Sequence, residues 1–166
     1  MDTDGIRLVP MTDDMFRVFY QGYENDPCLC RPGQAYEPFR YSEEWIDRYI
    51  RRQKDLNRVP LAILCGDEIA GEIILKNIAP HVRADLSITL KNDGYKDRGI
   101  GSNALTEAVR FAFSELDFQE LYADALKTNM RSRHVLEKTG FLQIREDADF
   151  VYYRIGRNET NQEGRI

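Results

Sequence analysis

The sequence is short of several things that specialised chemistry needs. Its 166 residues include two histidines, three cysteines and one tryptophan. His81 and His134 lie far from each other and from the cysteines, so no zinc-binding spacing is present and no metal site is expected. Cys28, Cys30 and Cys65 are odd in number and contain a single C-x-C pair. That is not a disulfide framework, and reduced thiols in a cytoplasmic protein are expected. Long apolar runs are missing, which argues against a membrane span. The opening MDTDGIRLVP is acidic and has no apolar stretch, so a secretory leader is not expected. Positive charge is in deficit: 23 Lys and Arg against 28 Asp and Glu give a net charge of −5. This disfavours a nucleic-acid binder and leaves room for a cationic substrate. No G-x-S-x-G elbow supplies a serine nucleophile, and no Gly-Lys-Ser/Thr completes a P-loop.

What is present reads as one mixed α/β domain over residues 1–157 with a polar tail at 158–166. IRLVP alternates as a first strand. Thr12 is placed to cap a helix whose inner stripe reads Met15, Val18, Phe19 and Tyr23. A long loop with three prolines follows, from Asn25 to Tyr41. Such loops either serve function or act as packed connectors. Ser42 caps a second helix with Trp45, Ile46, Tyr49 and Ile50 on its inner face. VPLAILC, IAGEIILK and ADLSITL predict three antiparallel strands joined by tight turns. A third helix follows Gly101, then strand ELYADAL, a helix in NMRSRHVLEKTG closed by Gly140, and two last strands. The third helix must then connect the fourth and fifth strands as a parallel crossover. The expected sheet has seven strands, mostly antiparallel, with one parallel pair and four flanking helices.

The stretch DGYKDRGIGSNALTEAVRFAF poses the functional question. Gly99 and Gly101 stand at the mouth of the third helix, just after Lys96 and Arg98. A purely structural loop-and-helix start is one reading. A dinucleotide fingerprint is another: GIGSNA fits G-x-G-x-x-A and Asp124 lies downstream. Three antiparallel strands before the glycines, and KNDGYKDR between strand and glycine, go against it. A pyrophosphate cradle fits better. Amides at a helix start are unpaired along a positive dipole, and glycine lets an anion approach without a Cβ in the way.

KDRGIG resembles the R/Q-x-x-G-x-G/A signature of the GNAT superfamily of N-acetyltransferases, with Lys96 in the first position. NMRSRHVLEKTGF resembles that family's N-x-x-S-x-x-x-[Y/L]-E-K-x-G-F stretch. The resemblance is specific from about Ile73 to Phe141, and SRHVLEKTGF is nearest to the RimJ/RimL-like branch. It implies acetyl-CoA as cosubstrate and an amine acceptor, either a small molecule or a protein N-terminus. A monomer or homodimer is expected, and the net charge and the lack of long apolar runs speak against nucleic acid and membrane as partners. A non-catalytic acyl-CoA sensor on the same fold is the competing reading.

The resemblance further implies roles for individual residues. Backbone groups of Ile88, Thr89 and Leu90 would pair with the pantetheine arm. Amides of Arg98, Gly99, Ile100, Gly101 and Ser102 would hold the pyrophosphate, with Lys96 beside them. Asn129 would bond the arm while also capping its helix. Leu136 stands where many relatives carry the tyrosine assigned to protonate the leaving thiolate. Ser132, one helical turn after Asn129, is the substitute on offer. Asp85, at the start of the fourth strand, and Glu72, on the third, are the candidate proton acceptors, with Asp85 preferred. Arg131, Arg133 and Lys138 read as a solvated helix face.

Overall fold

The computed structural model describes residues 5–159; residues 160–166 of the expected tail lie outside the described residues. The elements run β1 (Ile6–Pro10), α1 (Asp13–Gln21), α2 (Glu43–Asp55), β2 (Val59–Cys65), β3 (Glu68–Ala79), β4 (Arg83–Leu90), α3 (Ile100–Ser114), β5 (Glu120–Leu126), α4 (Met130–Lys138), β6 (Leu142–Glu146) and β7 (Phe150–Gly156). Short 3-10 turns at Pro27–Leu29 and Asp93–Tyr95 interrupt the two longest loops. Among the described residues no helix is long and apolar enough to cross a membrane.

Local chemistry accounts for the helix ends. The Thr12 hydroxyl accepts from the Met15 amide, and the Ser42 hydroxyl accepts from the Trp45 amide, both at 3.2 Å. Each satisfies an otherwise orphaned donor of the first turn. Gly140 takes φ 98° just beyond α4, the left-handed stop that a glycine permits. The stripe of α1 differs from the sequence expectation. Phe16, Phe19 and Tyr20 are buried, whereas Val18 is 53% exposed. The aromatic side chains claim the core face and turn Val18 to solvent.

All seven strands form one sheet in the order β1-β2-β3-β4-β5-β7-β6. Only β4 and β5 run parallel. Their pairing covers Arg83↔Glu120, Ala84↔Leu121 and Asp85↔Tyr122, then stops, and the strands splay apart. One face of the sheet carries α3 and packs Ile73, Leu75, Leu86 and Leu121 against Ala104, Leu105 and Ala108. The opposite face carries α1 and α2 over β1, β2 and β3, around Phe16, Phe19, Tyr20, Ile46 and Ile50. Cross-strand partners share a face. Glu72↔Thr89, Ile74↔Ser87 and Lys76↔Asp85 therefore put all three polar positions of β4 on the α1/α2 side. Gly71 marks the tightest approach of β3 to β4. A Cβ there would lie 2.6 Å from the Thr89 carbonyl oxygen.

Candidate active site

The helix that follows the two glycines begins without a side-chain cap. Gly99 adopts φ 77° in the N-cap position, and among the described residues no side chain caps α3. The orphaned donors of that turn face a cavity of about 480 Å³ lined by Lys96, Gly99, Gly101, Ser102, Arg131 and His134, among others. A second cavity, about 160 Å³, continues it into the splay. Its wall includes Tyr23, Ile88, Thr89, Leu90, Gly101, Asn129 and Ser132. A third, about 260 Å³, extends toward the paired ends of β4 and β5. Ile88, Asn129 and Ser132 line both of these, while Ser87, Asp124 and Leu136 line the third alone. The three form a row from the helix start to the root of the splay.

Glycine at 101 keeps the first junction open. An added Cβ would meet Leu90 and Val135 at 3.8 Å and Ile88 at 4.0 Å. These are ordinary contacts, so the protein itself has room for a side chain, which would occupy the passage. Asn129 does two things at once. Its Oδ1 accepts from the Ser132 amide at 3.1 Å, capping α4. The residue also walls the central and inner cavities.

The charges at the mouth are paired with one another. Lys96 Nζ lies 2.6 Å from Asp26 and 2.8 Å from Asp93. Arg131 reaches Asp26 at 3.5 Å and Asp97 at 3.1 Å. Burial pushes the Asp26 carboxyl up, but the Lys96 ammonium and the Cys28 amide outweigh it and hold it below its ordinary range. The network pins the loop after α1 across the cavities. Arg131 is exposed, as expected of a solvated helix face, yet these ion pairs hold it at the mouth; Arg133 instead is half-buried and donates to the Lys127 carbonyl and the Tyr153 hydroxyl. Arg98 instead turns away, donating to the Gly94 carbonyl at 3.0 Å. The Ile100 side chain is buried in the core, so only its backbone can face a ligand.

The two carboxylates singled out from the strand pattern are not in the cavity walls. Asp85 lies at the paired end of β4, where it accepts from Asn77 Nδ2 at 2.6 Å. Glu72 is 3% exposed beneath α1 and α2. Its Oε1 accepts from the Tyr20 hydroxyl at 2.5 Å and the Tyr49 hydroxyl at 2.8 Å, and among the described residues its Oε2 has no partner. Burial drives its pKa upward, and the two tyrosines offset this only in part. Asp124 does line the inner cavity, and sequence reasoning gave it no role there. The alternation of ELYADAL could have placed it on the polar face; the splay that exposes it is tertiary.

The Acetyltransferase (GNAT) domain family matches residues 6–142. The chain belongs to this family. It is an acetyltransferase, with acetyl-CoA as cosubstrate. Over 139 residues it is 27% identical to spermidine N(1)-acetyltransferase of Escherichia coli (strain K12), covering 82% of this chain and 72% of that one. YdaF of Bacillus subtilis (strain 168), named as a candidate ribosomal N-acetyltransferase, is 27% identical over 113 residues, 68% of this chain and 61% of that one. The crystal structure of the Vibrio cholerae spermidine N-acetyltransferase with CoA and spermine superposes with a TM-score of 0.77 at 16% identity, covering 95% and 98% of the two chains. That last likeness is one of fold. Among the described residues no group of His, Cys, Asp and Glu is placed to hold a metal ion. The cysteines are free, and a neighbouring Asp26 hydrogen bond raises the Cys28 thiol rather than activating it.

Proposed function

We propose that the protein acetylates a primary amine by direct transfer, with no covalent enzyme intermediate, within one domain spanning residues 1–157. The observation that carries this reading is the row of cavities running from the uncapped α3 start into the β4–β5 splay. Amides from Gly99 to Ser102 hold the diphosphate, assisted by Lys96 and Arg131. The backbone of Ile88 to Leu90 and the Asn129 side chain hold the pantetheine arm. Acetyl-CoA supplies an acyl carbon already activated as a thioester. The amine nitrogen bonds to that carbon as the carbon–sulfur bond breaks. The acceptor starts as an ammonium and gives up two protons, one to solvent before it attacks and one to the departing thiolate. Holding both reactants in one passage supplies much of the rate.

Ser132 is proposed as the hydroxyl nearest the sulfur, since it walls both the central and the inner cavity where Leu136 supplies no phenol. The geometry favours neither Asp85 nor Glu72 as proton acceptor, because one is tied to Asn77 and the other is sealed under α1 and α2. The SRHVLEKTGF wording supports placement in the RimJ/RimL-like branch. The spermidine relatives keep a polyamine acceptor in view. A thiol-release screen over polyamines, aminoglycosides, small amines and peptides with free N-termini, with acetyl-CoA binding measured separately by calorimetry, tests the reading. Coenzyme binding with release on at least one amine is expected. Binding without release on any amine points to a sensor and overturns transfer; no binding overturns the whole assignment.

A further inference from the structure

One carboxylate holds both cations of the coenzyme mouth. Lys96 Nζ lies 2.6 Å from Asp26 Oδ2, and Arg131 Nη1 reaches the same oxygen at 3.5 Å. The Lys96 and Asp26 side chains are 14% and 17% exposed, so water and salt screen this pair poorly. The cations' other partners, Asp93 and Asp97, are 83% and 68% exposed and count for less. Lys96 and Arg131 line the outer cavity at the start of α3 and also the central one; Asp26 lines the central one. A diphosphate laid on the α3 amides therefore meets two cations that Asp26 already occupies. It carries more negative charge than one carboxylate and also satisfies the orphaned amides. Asp26 cannot stay on the same two cations without a like-charge contact.

Asp26 in turn holds a loop. Asn25 closes the base of that loop: its Nδ2 donates to the Glu37 carbonyl at 2.8 Å and its Oδ1 accepts from the Phe39 amide at 2.7 Å. Among the described residues, the hydrogen bonds of residues 27–36 stay within the loop or return to Asn25 and Asp26. The Cys28 amide donates to Asp26 Oδ1 at 2.9 Å, the Gln34 amide to the Arg31 carbonyl at 3.0 Å, and the Tyr36 hydroxyl to the Asn25 carbonyl at 3.2 Å. A compact loop with adjacent ends behaves as a unit. Past its base, its polar ties to the body are the Asp26 ion pairs and the exposed Arg31 guanidinium, 5.3 Å from the Phe150 ring centroid. Leu29 of this loop lines both the central and the inner cavity. Asp26 also lines a further cavity of about 300 Å³, walled by Asn25, Tyr36 and Phe39 among others. The carboxylate has room to withdraw.

We propose that Asp26 is a placeholder for the diphosphate. It occupies Lys96 and Arg131 in the empty protein and yields them when coenzyme binds. That exchange unlatches the loop that carries Leu29 across the central and inner cavities. The inference rests on the coenzyme placement proposed above and adds regulation to that same site. It makes the opening of the passage depend on the coenzyme's arrival. The linkage is reciprocal: a carboxylate that holds the loop down by these cations must cost coenzyme affinity.

Asp26→Asn is the test, because its amide oxygen keeps the bond from the Cys28 amide while the attraction to the cations is lost. A merely supporting Asp26 would make this variant bind coenzyme more weakly; a placeholder makes it bind more tightly. The probes are CoA and ADP, which has a diphosphate and no pantetheine arm. By calorimetry the variant should bind both at least about fivefold more tightly than the wild type. Asp26→Glu keeps the charge and should stay within about twofold of the wild type. Hydrogen exchange across residues 27–36 gives a second readout that needs no variant. Saturating CoA should speed it in the wild type, and in Asp26→Asn it should already be fast without CoA. The proposal is overturned if Asp26→Asn binds ADP no more tightly than the wild type, or if CoA slows exchange across the loop. Gly101→Asp keeps the two failures distinct. If it leaves CoA affinity unchanged, the diphosphate placement is wrong and the latch falls with it. If it weakens CoA while Asp26→Asn does not tighten ADP, the latch alone falls.

Discussion

Glu72 and Asp124 lie on the same face of the same sheet, yet the fold gives them opposite conditions. Glu72 sits opposite Thr89, under α1 and α2, ringed by Tyr20, Tyr49 and the aromatic side chains that pack on them. Asp124 sits past the last β4–β5 pair, where the loop around Leu29 and Arg31 leaves a cavity. Strand alternation puts both on the polar side. Helical cover decides which becomes a sealed structural group and which stays available to a ligand. The lesson is that a carboxylate's chemistry is set by what lies over the sheet, not by the strand pattern alone.

The largest test strikes where the covered and open halves meet. Gly71 faces Leu90 across the β3–β4 pair, and a Cβ there would be 2.6 Å from the Thr89 carbonyl oxygen and 3.0 Å from Ile63 and Leu90 side-chain carbons. A backbone oxygen cannot swing aside as a side chain can. Gly71→Ala should cost about 2 kcal/mol in denaturant unfolding, within the usual range for overpacking. A loss below about 0.5 kcal/mol would mean that the two strands can part here and that the junction is softer than its geometry.

Gly101 lies on the open side, at the start of α3. Its Cβ would find only ordinary contacts at 3.8 Å, so Gly101→Asp should keep the fold while adding a carboxylate to the passage. Acetyl-CoA affinity should fall at least tenfold, about 1.4 kcal/mol. A titration with unchanged affinity would leave the residue a mere helix opener. The two glycines thus predict opposite signatures, stability for Gly71 and binding for Gly101.

Much of this was legible in the sequence, and the parts that were not share a cause. Thr12, Ser42 and Gly140 act within a few residues of themselves, so their roles could be read locally. The uncapped start of α3 was legible for the same reason. Arg131 and Asp26 are 105 positions apart, and no local pattern announces their meeting. Asp85 looked the better base because it opens β4 on the polar face. The structure keeps that face but places Asp85 where β4 is still paired with β5. The point at which two strands part is set by what packs around them.

A smaller effect is expected at Asn129, whose Oδ1 caps α4 while the residue walls two cavities. Asn129→Ala should cost about 1 kcal/mol of stability from the cap alone. The KM for acetyl-CoA should rise as well. A drop in melting temperature with KM unmoved would reduce Asn129 to a cap and shift the grip on the arm to the β4 backbone.

The finest test returns to Glu72, and its sign follows from burial. The folded-state pKa of Glu72 is raised, because burial disfavours the charged form more than the Tyr20 and Tyr49 hydroxyls favour it. A raised value means that the folded protein holds this proton more tightly than the unfolded chain does. The stability tied to it is complete below the ordinary carboxylate range, near pH 4.3. It is lost as pH climbs from there through the raised folded value. Glu72→Gln keeps an acceptor for both tyrosine hydroxyls and cannot ionise. The variant should therefore match the wild type at about pH 4 and exceed it at pH 8. A gain of about 1 kcal/mol, roughly 2–4 °C in a chain of this size, is the expected scale. Its kcat should change little, since the carboxyl is sealed from the cavities. Equal melting curves at both pH values would mean that Glu72 ionises freely in the folded protein, and a collapse of kcat would return it to the reaction.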